Sequence, residues 1–137
     1  MSLTDFIRKY TNRKIDFDGV FGYQCVDLFR QYCEEVLEIE HTGSVNSAKE
    51  LFVNYEHYPK LKTHFERLTN DFEVGDIIIW NYSSNNSYGH VAIIIEVIDD
   101  FNIKVIEQDG FKQDGVKMKI YNPRYALGVL RFKKNMG

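Results

Sequence analysis

The chain reads as an α+β protein, with N-terminal helices packed on a C-terminal antiparallel β-sheet of about six strands, and two contrasts in its pattern predict this. Before residue 65 the apolar residues recur at helical spacing, most clearly in Cys25, Leu28, Phe29, Tyr32, Cys33, Val36 and Leu37. Beyond it the sequence breaks into short runs of Ile, Val and aromatics, divided by polar turn clusters at about ten-residue intervals, which is the pattern of antiparallel strands. Helices first and strands second, instead of alternating, point to segregated layers.

Taken in order, Phe6, Ile7 and Tyr10 fall at helical spacing behind Ser2 or Thr4 as a cap, which predicts a short helix from Leu3 to Tyr10. A polar loop over residues 11–23 follows, and the apolar stripe from Cys25 predicts the longest helix, running to about Glu38. Ser47 caps a third, carrying Ala48, Leu51, Phe52 and Tyr55, which should end before Pro59. The strands are expected at Phe65 to Leu68, Ile77 to Tyr82, His90 to Val97, Ile103 to Asp109, Val116 to Tyr121 and Leu127 to Phe132. Asp99-Asp100 is the expected two-residue hairpin turn, a register that sets His90 opposite Asp109 with Glu107 two positions along on the same face.

A length of 137 residues, 44% hydrophobic and 15% aromatic, suits one domain spanning 1–137 with a substantial core. Net charge is -3 and the basic residues are scattered, which argues against nucleic acid as a partner. The start of the chain lacks a charged and then apolar leader, and the longest apolar run, Val91 to Ile95, is far short of the ~20 residues a membrane helix needs. The expectation is a monomer made in the cytoplasm without its own signal peptide and without a membrane span. Cys25 and Cys33 lie on one predicted helix, where eight residues rise about 12 Å, beyond the ~7 Å that a disulfide spans. Cys33 therefore reads as core.

Cys25 is different, because it stands in the first turn of its helix. Unpaired backbone N–H groups and the positive end of the dipole there favour a thiolate, hence a nucleophile. Two later stretches supply what such a nucleophile needs. His90 opens an apolar strand, and Glu107 sits within another, Val105-Ile106-Glu107, where an unpaired carboxylate would be costly to bury. Amide cleavage requires a partly ionised nucleophile, a base that carries its proton to the leaving amine, and an acceptor that fixes the base's tautomer. Cys25, His90 and Glu107 suit those roles in turn. The backbone N–H of Cys25 and the side-chain amide of Gln24 are the candidate oxyanion donors. Tyr23 is a candidate for the substrate groove, Trp80 reads as core, and His41, His57 and His64, in polar surroundings, read as surface.

Gly22-Tyr23-Gln24-Cys25-Val26-Asp27-Leu28, Gly75-Asp76-Ile77-Ile78-Ile79-Trp80, Gly89-His90-Val91-Ala92-Ile93 and Glu107-Gln108-Asp109 resemble the successive motifs of the CHAP family. These are the cysteine and histidine dependent amidohydrolase/peptidase domains of phage endolysins and bacterial wall hydrolases. The resemblance implies a papain-like fold and cleavage of an amide bond in bacterial peptidoglycan. Cys25 would be the nucleophile, His90 the base and Glu107 the orienting acid, acting on the wall after release or as part of a virion. Family members commonly carry asparagine two residues after the acid, where this chain has Asp109, so Glu107 and Asp109 both stand as candidates to orient His90. The rival readings are a catalytically silent wall-binding or structural member of the fold, and a thiol acyl transferase.

The loop before the nucleophile carries a second pattern. Asp16, Asp18, Val20 and Gly22 alternate and Asp27 stands twelfth from Asp16, which imitates the ligand spacing of a calcium loop, Val20 and Gly22 offering carbonyls. Phe21 replaces the usual turn glycine and Asp27 is shorter than the usual glutamate, and the alternative is a solvated turn. Calcium is expected here as a structural ion, and certain phage members of the CHAP family bind it at matching positions. The chemistry itself requires no cofactor.

Overall fold

The structure is a computed structural model and describes residues 1–15, 25–40, 48–81, 89–108 and 115–133. It is α+β, with helices α1 (Leu3–Tyr10), α2 (Cys25–Glu35), α3 (Glu50–Val53) and α4 (Pro59–His64) preceding strands β1 (Phe65–Leu68), β2 (Ile77–Trp80), β3 (His90–Asp99), β4 (Asn102–Gln108), β5 (Val116–Tyr121) and β6 (Gly128–Phe132). The strands form one antiparallel sheet in the order β1-β6-β2-β3-β4-β5.

The first helix starts as expected, with the Ser2 hydroxyl accepting from the Asp5 N–H at 3.1 Å. The second stops at Glu35, three residues short of the expected end. The N–H groups of Val36 and Leu37 both reach back to the Tyr32 carbonyl and Glu38 takes a left-handed φ of 57°, so the chain turns while Val36 and Leu37 keep packing on the core. The predicted third helix is shorter than its apolar pattern, Glu50–Val53 followed by a 3-10 turn at Tyr55–His57. Pro59 does end that segment, but it also occupies the first turn of α4, where its missing N–H costs no hydrogen bond.

Alternation along the strands divides the interior in two. Ile77, Ile79, Val91, Ile93, Ile106 and Leu130 join Phe6, Leu28, Phe29 and Cys33 in the core beneath the helices. The intervening Ile78, Trp80, Ala92, Ile94, Val105 and Val129 form a second cluster, covered in part by Leu68, Phe72 and Tyr121. The β3–β4 turn lies one residue later than predicted, at Asp100 and Phe101 between the paired Asp99 and Asn102. Two register shifts in the hairpin then set Ile93 opposite Ile106, the pairing that a turn at Asp99-Asp100 would have produced without them.

Candidate active site

Cys25 is the first residue of α2, which packs against β3 and β4 through its buried stripe of Leu28, Phe29, Tyr32 and Cys33. The thiol is therefore at the end of the helix where N–H groups have no intrahelical acceptor, and it is 8% exposed. The segment leading toward it is tied to the sheet. The buried amide of Gln108 accepts from the Ile15 N–H at 2.8 Å and donates to the Ile15 carbonyl at 2.7 Å, so it acts as a strand partner at the end of β4. Asn12 and Arg13 exchange backbone hydrogen bonds with Val116 at 2.8 and 2.7 Å.

His90 begins β3 directly after Gly89, whose φ of +88° is a left-handed conformation suited to glycine. A Cβ at Gly89 would meet the Trp80 carbonyl oxygen at 2.6 Å and the backbone nitrogen of Lys49 at 2.9 Å, so this glycine also permits close packing beside the imidazole. The Nε2 of His90 is 3.0 Å from Oε2 of Glu107, and the imidazole lies within hydrogen-bonding reach of the Cys25 thiol. With Nε2 engaged by the carboxylate, Nδ1 is the nitrogen left for sulfur. The imidazole thus links thiol and carboxylate, three groups contributed by a helix start, a strand start and a strand end.

The electrostatics follow from that arrangement. Burial opposes charge on His90, but its interactions with Cys25 and Glu107 outweigh it, and the pKa is raised to about 10 from an ordinary 6.5. Burial likewise pushes Glu107 up, yet the hydrogen bond from His90 and its charge prevail and hold the carboxyl below its ordinary value; Tyr121 and Lys119 add to this. Glu107 is 3% exposed. Its other oxygen, Oε1, is buried and has no hydrogen-bond partner among the described residues.

Of the carboxylates that the sequence left as alternatives, Glu107 is the one seen on the imidazole; Asp109 lies outside the described residues. So do Gln24, Tyr23 and four of the five calcium candidates, Asp16, Asp18, Val20 and Gly22. Asp27, the fifth, is buried in the first turn of α2. Among the described residues no three His, Cys, Asp or Glu side chains gather as a metal site. Cys33 is fully buried and its thiol is pushed up by burial, which suits core and not chemistry. Both cysteines are free. His57 is exposed and His64 half-buried, away from this constellation.

Sequence reasoning missed three neighbours. Gln108 had no signal beyond its place beside Glu107. Trp80 was read as core, and its ring indeed packs in the second cluster, but it also lies 5.8 Å from the His90 ring, its cross-strand partner. Tyr121 was placed on a strand and given no part, because its approach to Glu107 depends on how the sheet coils.

Comparisons with known proteins give the family and the fold. The family model described as CHAP domain matches residues 15–109. The endolysin PlyTW of Staphylococcus phage Twort is 30% identical over 96 residues, covering 65% of this chain and 19% of that protein. The chain thus spans about a fifth of that relative's length. Among solved structures, the wild-type endolysin LysIME-EF1 matches with a TM-score of 0.72 at 21% identity, over 96% of this chain and 64% of the other. An N-acetylmuramoyl-L-alanine amidase from Staphylococcus aureus matches with a TM-score of 0.59 at 13% identity, over 80% and 30% respectively. No helix is long and apolar enough to cross a membrane among the described residues.

Proposed function

The chain belongs to the CHAP domain family, and from that premise we propose that it is a peptidoglycan hydrolase that cleaves an amide bond of the bacterial wall through a cysteine acyl-enzyme. The observation that carries this reading is the imidazole of His90 held between the Cys25 thiol and the Glu107 carboxylate. The names of the similar proteins, endolysins and an amidase, supply the substrate class.

In this reading the Cys25 sulfur attacks the amide carbonyl carbon while its proton resides on Nδ1 of His90. The resulting oxyanion is held by the Cys25 backbone N–H, with the Gln24 amide as the proposed second donor. The C–N bond then breaks as the imidazolium protonates the leaving amine, and a thioester remains on Cys25. Water follows the reverse course: His90 takes its proton, the oxygen attacks the thioester, and the thiol is restored. Glu107 stays ionised throughout, holding the ring by Nε2 and stabilising its positive charge.

A structural calcium held by Asp16, Asp18, Asp27 and the carbonyls of Val20 and Gly22 is part of the same proposal. It would brace the segment before the nucleophile and supply no step of the chemistry.

The test is clearing of a panel of purified peptidoglycans, with mass analysis of the fragments. Hydrolysis adds one water at the cut bond, and the fragments distinguish the amide between muramic acid and L-alanine from one within the stem peptide or cross-bridge. Clearing by the native chain and none by Cys25→Ala supports the proposal. No clearing by either would favour the silent wall-binding reading, and an acceptor amine in place of water would favour the transferase.

A further inference from the structure

The acid–base pair is bracketed from the side by two aromatic residues. Trp80 stands directly across from His90 in the β2–β3 ladder, with ring centroids 5.8 Å apart and planes inclined by 33°. Tyr121, at the end of β5, lies against the same indole at 5.2 Å and 57°. Its hydroxyl is near enough the Glu107 carboxylate to help hold that group below its ordinary pKa. The indole thus lies against both the phenol and the imidazole, and the imidazole holds the carboxylate beside which the phenol stands. We infer that Trp80 and Tyr121 are positioning residues for the proposed catalytic pair, the indole fixing the plane of the His90 ring and the Tyr121 hydroxyl fixing the Glu107 carboxylate.

The physical need for them is visible in what the pair lacks. Hydrogen bonds at the two ring nitrogens lie in the plane of the imidazole and fix its tilt only loosely, and among the described residues Oε1 of Glu107 has no hydrogen-bond partner. An indole tilted by 33° beside the ring, 5.8 Å away between centroids, limits that rotation, because turning would bring the imidazole against it. The Tyr121 hydroxyl stands near the carboxylate, and its ring is in turn held against Trp80. Small errors in the placement of a base are costly, since about 1 Å of displacement can lower a rate about a hundredfold. Both rings also fill the second core cluster, so the test must separate positioning from packing.

The inference rests on the proposed roles of Cys25, His90 and Glu107, and Tyr121→Phe is the decisive variant because it keeps the ring and deletes only the hydroxyl. Two readouts are taken on folded protein: kcat and KM on soluble peptidoglycan fragments, and the low-field proton NMR signal of the His90 Nε2–H, assigned by its loss in His90→Ala. Positioning predicts that kcat falls about tenfold with KM unmoved, that the proton signal shifts, and that Trp80→Phe retains more activity than Trp80→Leu at equal folded fraction. A Tyr121→Phe protein in which either kcat or the proton signal is unchanged overturns the inference. Should Cys25→Ala still hydrolyse the fragments, the proposed function falls instead, while the proton signal continues to report on the contact between Tyr121 and the pair.

Discussion

Replacing Glu107 by Gln probes the constellation with the smallest change of shape. The amide fits the same space and its oxygen can still accept from Nε2, so what is lost is charge. The bond concerned is 3.0 Å long and its acceptor side chain is 3% exposed, so solvent screens little of it. Hydrogen bonds to charged groups contribute about 1.5–3 kcal/mol and neutral ones about 0.5–1.5, so the substitution removes roughly 1–2 kcal/mol of stabilisation from the imidazolium. If that charge is needed in the transition state, kcat/KM falls by about 5- to 30-fold. A second consequence has a definite sign. The Glu107 carboxylate helps to hold the His90 pKa near 10, so neutralising it lowers that pKa and moves the alkaline limb of the activity profile to lower pH. The assay is initial rate on soluble wall fragments from pH 5 to 11, with thermal melting to confirm the fold. An unchanged kcat/KM together with an unmoved alkaline limb, in a preparation where Cys25→Ala is inactive, would refute Glu107 as the partner that matters and turn attention to Asp109.

Other outcomes follow from the same geometry. The raised pKa of His90 means that its imidazolium stabilises the fold in full below the ordinary 6.5 and that this contribution is lost as pH rises through about 10. The lowered pKa of Glu107 works in the opposite sense, with its contribution complete above the ordinary 4.5 and lost as acid protonates the folded carboxyl. The melting-temperature gap between wild type and His90→Gln should therefore be widest between those two ordinary values and close toward pH 10, and a gap that widens with alkalinity would contradict this. Chelation is expected to lower the melting temperature and calcium to restore it; metal-free protein, verified by elemental analysis, that melts unchanged would remove the ion from the account. Asp76→Ala removes the carboxylate to which Arg131 donates at 3.0 and 2.9 Å, leaving that guanidinium with Glu73 at 3.4 Å and the Asp71 carbonyl, and should cost about 1.5–3 kcal/mol in denaturant unfolding without altering kcat of the folded fraction. Gly89→Ala forces a side chain into a left-handed backbone and against the Trp80 carbonyl, and should cost upward of ~1–2 kcal/mol and lower kcat as well, since His90 is the next residue.

Much of this was legible because the relevant signals are local. The Ser2 cap, the stripe of α2 and the β-branched runs each fix an element by its own neighbours, and Phe65–Leu68 and Val116–Tyr121 fall where alternation places them. What escaped was decided by competition or by distance. Pro59 can both stop a helix and start one, and nothing nearby says that α4 follows at once. The end of α2 depends on Glu38 accepting a left-handed conformation that its side chain does not advertise. The β3–β4 hairpin shows how a correct neighbourhood can rest on wrong details: the Asp99 side chain caps the turn by accepting from the Phe101 N–H at 2.8 Å, which moves the turn by a residue, and the register shifts compensate. The roles of Trp80 and Tyr121 could not be read, since contact between β2 and β5 crosses two intervening strands.

Among the described residues two carboxylates are buried at strand ends, and the difference in how the fold satisfies them separates structure from chemistry. Asp76, at the entry to β2, is paired with the guanidinium of Arg131, a cation that does not give up its proton in a protein, and it also accepts from the Glu73 N–H at 2.8 Å. That pair can only hold the loop against β6. Glu107 is paired with an imidazole, a weaker partner for mere stability because its charge depends on pH, and among the described residues its Oε1 has no hydrogen-bond partner. A structure under selection for stability alone would gain by treating Glu107 as it treats Asp76, or by replacing the pair with apolar side chains. The arrangement becomes intelligible once the imidazole has somewhere to send its proton, and the Cys25 thiol, set at the mouth of α2 within hydrogen-bonding reach of the same ring, is that place.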